Sequence, residues 1–310
     1  MSVEKSNNNA TPSASKNPAP SRSGPAKIQY YLEEGLQGVE RLQYHSVRLF
    51  STAINRLIDE FQLGGAAQYA VFSPVTEEEF TKIRNRHHKG LRFLYLTTES
   101  TLIVKFIVGR VHEMVHRIFV EIFKVKIFLM GLRRDFIDIG RSMISCPAGG
   151  KEADTSIKPM SRCFLDDWPT VVFECGLSES LERLRVDARW WLENPDRQVG
   201  TAIVVAVSKE ARSIHVEKWE SVDMPNPHVT RAIPDLFITE TTKTGEGEIV
   251  GEVVTGAPLK ISFKKTMLRD PNEDLGEGDI VFDLEDLEEV AEAVWAGSEE
   301  RPASDVHTLA

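Results

Sequence analysis

Cysteine is scarce: three residues in 310, Cys146, Cys163 and Cys175, with no C-x-x-C pair among them. A disulfide framework is thereby excluded, and a reducing compartment, cytoplasmic or nuclear, is expected. No N-terminal stretch carries the apolar middle of a signal peptide. Long hydrophobic runs are lacking too. The most apolar segment, Val111 to Leu132, is interrupted by Glu113, Arg117, Glu121, Lys124 and Lys126, so it cannot cross a bilayer as one helix. A soluble intracellular protein with no membrane partner is expected. No G-x-x-x-x-G-K-[ST] phosphate loop and no G-x-S-x-G nucleophile elbow occurs, which removes two common routes to phosphoryl and acyl transfer.

Charge is present in both signs but unevenly spread. The net charge is −10, which argues against a simple nucleic-acid coat protein. Residues 81–145 nevertheless hold 13 Lys and Arg against 5 Asp and Glu, whereas residues 266–310 hold 2 against 14. A basic middle with an acidic appendage suits a polyanion-binding face. Two ordinary solvated faces would leave the same record.

Composition divides the chain into four stretches. Residues 1–26 are Ser, Asn, Pro and Ala with almost no large apolar side chains, and are expected to be disordered. Residues 27–90 show mixed helical periodicity up to Phe61, broken at Gly64-Gly65, and read as a helical N-terminal extension. Residues 91–265 read as one α/β domain. Residues 266–310 form an acidic C-terminal segment, with Ile280, Val281, Phe282, Leu284, Leu287, Val290 and Val294 spaced for one helix over 279–295.

Within the α/β stretch, Leu91 to Leu96 and Leu102 to Ile107 predict a hairpin. Val111, Met114, Val115, Ile118, Phe119, Ile122 and Val125 then predict a helix that ends at Gly131. KEADTSIKP (151–159) and TVVFECG (170–176) read as two strands. Ser178 or Ser180 can cap the helix that follows them. Thr201 to Val207 is a strand buried on both faces, and Ser213 to Glu220 a more exposed neighbour. The fold class is α/β, a mixed central sheet flanked by helices.

Asp154 and Glu174 lie on the two middle strands, with nineteen residues between them. Alternate residues share a face of a strand, so the two carboxylates can converge if these strands pair. Two hard oxygen ligands suit Mg²⁺, with Mn²⁺ as its alternative, and such an ion holds a phosphate and acidifies an attacking water. A Glu inside an apolar strand is costly unless paired or metal-bound, which singles out Glu174. Lys158 shares the face of Asp154. The bland alternatives for Glu174 are a surface carboxylate on an edge strand or a salt bridge to Lys158.

The runs KEADTSIKP, WPTVVFECGLSES, LRVDARWWLEN and IHVEKWE resemble a group of uncharacterised fungal proteins. That group is similar in turn to the restriction-endonuclease-like PD-(D/E)XK superfamily. The resemblance covers roughly Leu91 to Glu220. It implies a restriction-endonuclease-like core, nucleic acid as partner, and phosphodiester hydrolysis with Asp154 and Glu174 as catalytic metal ligands. It also offers Glu113 as a supporting acid on the preceding helix. The pattern departs at two places: Ala153 stands where a proline is usual, and Gly176 where a lysine is usual. The missing cation could come from Lys158 or from Arg183, Arg185 or Arg189 on the following helix. Arginine stays protonated, so it could stabilise charge but not act as a base.

A second motif competes. His112-Glu113-Met114-Val115-His116 is H-E-x-x-H on a predicted helix, where both histidines could share Zn²⁺ while Glu113 activates water. Arg110 and Arg117 flank it, and no glycine follows in residues 118–120. Satisfied core histidines would give the same spacing. Trp190-Trp191 could stack bases, although helical spacing favours one in the core and one partly exposed. Three functions follow: a Mg²⁺-dependent nuclease, a non-catalytic nucleic-acid- or protein-binding module on the same fold, and a zinc metallopeptidase.

Overall fold

In the computed structural model, residues 25–86, 90–107, 110–177, 180–194, 198–225, 237–250 and 253–296 are described. Strict alternation builds the first sheet. Glu40–Gln43 (β1), Tyr69–Ser73 (β2), Leu91–Leu96 (β3), Thr101–Phe106 (β4), Met143–Cys146 (β6) and Gly149–Glu152 (β7) line up in the order β1-β2-β4-β3-β7-β6. Phe72, Phe93, Tyr95, Val104 and Phe106 point outward, onto Val47–Gln62 (α2) and Glu77–Arg84 (α3). The opposite face carries Val71, Leu94, Leu96 and Ile103, and it turns inward against the second sheet.

The second sheet contains Phe136–Gly140 (β5), Thr155–Pro159 (β8), Val171–Leu177 (β9), Thr201–Ser208 (β10), Ser213–Pro225 (β11), Phe237–Val250 (β12) and Val253–Thr255 (β13), in the order β13-β12-β11-β10-β9-β8-β5. β9 and β10 run parallel while β8 and β11 are antiparallel to them, so the sheet is mixed as expected. Arg110–Leu129 (α4) and Leu284–Ala296 (α7) cover one face through Phe119, Phe123, Val290 and Val294. Burying each such phenylalanine contributes about 2–3 kcal/mol. Leu181–Glu193 (α5) and the first sheet cover the other face, and Pro25–Glu33 (α1) packs on α5.

The segment KEADTSIKP is not one strand. β7 pairs with β3 (Leu94 opposite Lys151), and β8 pairs with β9 (Thr155 opposite Phe173), so the chain bends at Ala153-Asp154 and passes from one sheet to the other. One straight strand cannot serve two stacked sheets. Gly149 makes the first pairing possible: a Cβ there would lie 1.9 Å from the Tyr95 carbonyl oxygen. Asp154 therefore occupies the hinge between layers.

Three expectations change. The stretch 27–90 holds helices α1, α2 and α3 but also β1 and β2, and the alternating Tyr69–Ser73 extends the hairpin β3–β4 by pairing with β4. Ile280–Phe282 (β15) pairs with Leu259–Ile261 (β14), so the helix expected over 279–295 begins only at Leu284. Ser180 is the N-cap of α5, but its hydroxyl donates to the Leu177 carbonyl (2.7 Å) and caps nothing. Ser178, the proposed disordered residues 1–24 and residues 297–310 lie outside the described residues.

Candidate functional site

Where the inner faces of the two sheets meet, seven charged side chains form a buried ladder. The first sheet supplies Arg92 from β3, Lys105 from β4 and Lys151 from β7. Opposite them stand Asp154 at the hinge, Glu174 on β9, and Asp187 and Arg183 on α5. All seven are buried. Lys105 Nζ lies 2.7 Å from Asp154 Oδ2 and 3.2 Å from Glu174 Oε2, so one ammonium bridges the acid pair. Lys151 Nζ bridges the next pair, 3.2 Å from both Glu174 Oε1 and Asp187 Oδ1. Arg183 closes the far end on Asp187 Oδ1 at 3.2 Å, and Arg92 the near end on Asp154 Oδ1 at 3.2 Å.

Neutral donors complete the set. The Cys175 amide donates to Asp154 Oδ2 (2.8 Å), the Trp191 indole to Glu174 Oε1 (2.7 Å) and the Tyr69 hydroxyl to Asp187 Oδ2 (3.3 Å). Burial alone would lower the Lys105 pKa, but the negative charge of Asp154, followed by Tyr69, Glu174 and Asp187, pushes it well above the ordinary lysine range. Lys105 is a fixed cation. Burial would likewise raise Asp187, yet Lys151 and Arg183 hold it below the usual carboxylate range. The Cys175 thiol is driven well up by burial and is inert.

The expected acid pair thus shares one point, and what stands at that point is a lysine. Three of the pair's four oxygens accept hydrogen bonds, Oδ2 from Lys105 and the Cys175 amide, Oε1 from Trp191 with Lys151 beside it, and Oε2 from Lys105, while Asp154 Oδ1 faces Arg92 Nε at 3.2 Å as an ion pair, the Nε hydrogen going to the Ala153 carbonyl. A Mg²⁺ ion demands near-octahedral oxygen ligation at about 2.0–2.1 Å and keeps several waters. With an ammonium where the oxygens converge and no water-sized opening around Glu174, which is 0 % exposed, this donor set does not fit a divalent ion.

The other expected site residues are dispersed. Lys158 turns away from Asp154, and its Nζ donates to the carbonyls of Phe164 and Asp167, because the hinge breaks the common face assumed for 154 and 158. Arg183 reaches Asp187 and the carbonyls of Tyr31 in α1 and of Glu34 just after it, not Glu174. Arg189 pairs with Glu193, and Arg185 with Glu217. At Gly176 a Cβ would meet Ser180 Oγ at 2.7 Å and Leu184 Cδ1 at 3.0 Å, so a lysine there would require these side chains to shift. Trp190 and Trp191 are both fully buried, stacked edge to face at 5.1 Å, so neither can receive a base.

The Asp154 and Arg92 end of the buried ladder abuts an open cleft. A cleft of about 930 Å³ runs from Asp154 and Arg92 past Arg141 to the first turns of α4, where Glu113, His116 and Arg117 line it. Glu113 sits 3.2 Å from Arg117, its helical neighbour one turn on. His116 is buried in the cleft wall, and the side chain of His112 lies outside the described residues. Lys105, Lys151 and Arg92 were missed by sequence reasoning. A charged residue inside an apolar strand, LIVKF for Lys105, was the available signal.

No family model and no curated protein matches the chain. Among solved structures it is similar to a protein of Anabaena variabilis described as a "putative nuclease belonging to DUF820", with 12% identity and a TM-score of 0.38 over 70% of this chain and 99% of that one. No residue role is carried over from it. Among the described residues, no helix is long and apolar enough to cross a membrane.

Proposed function

We propose that this chain is a non-catalytic module on a nuclease-type α/β fold, which holds a nucleic-acid backbone in the cleft beside Asp154 without cutting it. One observation carries the reading: Lys105 bridges the two acids that hydrolysis would need for a metal. The cleft supports the binding half. Arg117 and Arg141 are exposed on its walls, and they belong to the strongly basic stretch 81–145. Phosphate contacts of this kind release counterions, so binding weakens steeply with salt and shows little dependence on base sequence.

Fluorescence anisotropy with labelled single- and double-stranded oligonucleotides tests it. Binding should fall with salt, and replacing Arg117 and Arg141 together by Glu should lower affinity at least tenfold. Plasmid incubated with protein and Mg²⁺ or Mn²⁺ should stay supercoiled. Salt-insensitive or absent binding refutes the module.

The hydrolytic reading has one feature in its favour, the position of Asp154 on the cleft wall. It predicts metal-dependent nicking that Glu174→Ala abolishes. The zinc peptidase reading rests on His116 in the same cleft, and it predicts stoichiometric zinc lost on His116→Ala.

A further inference from the structure

A second cluster of metal-ligating side chains lies outside the cleft, on the face of the second sheet that carries α5. His215 and Glu217 are two apart on β11 and so share a face. Glu246 on β12 is the ladder partner of Glu217. His215 Nε2 lies 2.9 Å from Glu217 Oε1 and 3.5 Å from Glu246 Oε1, and the three donor atoms all fall within 4.8 Å of one another. Tetrahedral zinc with bonds of about 2.0–2.1 Å separates neighbouring ligand atoms by about 3.3 Å, which the two measured separations bracket.

We propose that His215, Glu217 and Glu246 form a zinc-class divalent site that clips β11 to β12. One imidazole and two carboxylates suit zinc better than Mg²⁺ or Ca²⁺, which take oxygen alone. The ligands are graded in depth. Glu217 is fully buried, His215 partly so, and Glu246 is half exposed, which leaves an entry path and a fourth position for water.

Glu217 is also held as an oriented ligand would be. Arg185 donates to both its oxygens, at 2.6 Å to Oε1 and 3.1 Å to Oε2, and the Trp219 indole donates to Oε2 at 2.9 Å. Outer hydrogen bonds of this kind fix a ligand's direction.

The test uses the full chain, purified without a histidine tag and stripped by a chelator. Zn²⁺ titrated by calorimetry should bind with stoichiometry near one. Co²⁺ in its place should give the visible absorption of a tetrahedral site. Both signals should weaken at least tenfold in His215→Ala and in Glu246→Gln. The second variant alters an exposed side chain and keeps the test valid if the first misfolds. Wild-type affinity in Glu246→Gln, no zinc at all, or zinc lost only on His116→Ala would overturn the proposal. The last of these would move the metal to α4. None of these outcomes bears on whether the cleft binds nucleic acid.

Discussion

Replacing Lys105 by methionine keeps most of the side-chain volume and removes the one charge that Asp154 and Glu174 share. Three buried carboxylates then face three cations, but the ammonium between the first two is gone. Taking one partner out of a buried, hydrogen-bonded ion pair costs about 3–5 kcal/mol, because the remaining charge is left without compensation in a medium that cannot hydrate it. At about 2–4 °C per kcal/mol for a domain of this size, the melting temperature should drop by on the order of 10 °C. Urea denaturation of wild type, Lys105→Met, Glu174→Gln and the double variant gives the coupling. The double variant should be more stable than the sum of the single losses implies by at least about 1–2 kcal/mol. Mg²⁺ should leave the wild-type melting temperature unchanged, while Mn²⁺ added to the Lys105 variant should recover part of the loss by taking the ammonium's place. A cost below about 1 kcal/mol for Lys105→Met, or Mg²⁺ stabilising the wild type, would refute the account of a saturated acid pair.

Other consequences can be checked on the same preparations. Gly176→Lys should destabilise by at least about 2 kcal/mol and give no nuclease activity, because Ser180 and Leu184 must shift to admit the side chain; a stable variant with activity would count against both claims. Asp187 has a folded pKa below its ordinary value, so its stabilising share is present above the normal carboxylate range and lost as pH falls through the depressed value. Asp187→Asn should therefore be less stable at neutral pH by about 3 kcal/mol and flatter in its pH dependence below about pH 4, as followed by circular dichroism. Phe123→Ala, at the contact of α4 with Phe173, should cost about 3–5 kcal/mol without changing oligonucleotide affinity.

The parts of the fold that could be read from sequence were those whose cause is local. The hairpin β3–β4 and the helix α4 follow from apolar period, and β9 and β10 from runs too apolar for a surface. Glu174 stood out because an acid inside such a run needs a partner. The same reasoning applied to Lys105 would have found that partner, but a lysine in a strand is easily taken for an exposed one, and the two are 69 residues apart. Lys151 was hidden differently. Its neighbours suggested one strand through Asp154, and no glycine or proline marks the bend at Ala153-Asp154 that sends 151 and 158 into different sheets. Arg183, expected to serve Asp154 and Glu174, pairs instead with Asp187, and its guanidinium is directed by the carbonyls of Tyr31 and Glu34, 152 and 149 residues away.

The distribution of charge across the layers says what the ladder does for the fold. Arg92, Lys105 and Lys151 all stand on the first sheet, and Asp154, Glu174 and Asp187 all stand at or beyond the hinge, on the side of the second sheet. Two apolar faces alone would attract each other in several registers, since hydrophobic contact has no direction. A slip of one sheet over the other by one strand spacing, about 4.8 Å, would leave at least one of these ions buried without a partner, at a cost of several kcal/mol. The ladder therefore selects one docking of the two sheets, and a buried acid pair can be indispensable to the structure through its ion pairs alone.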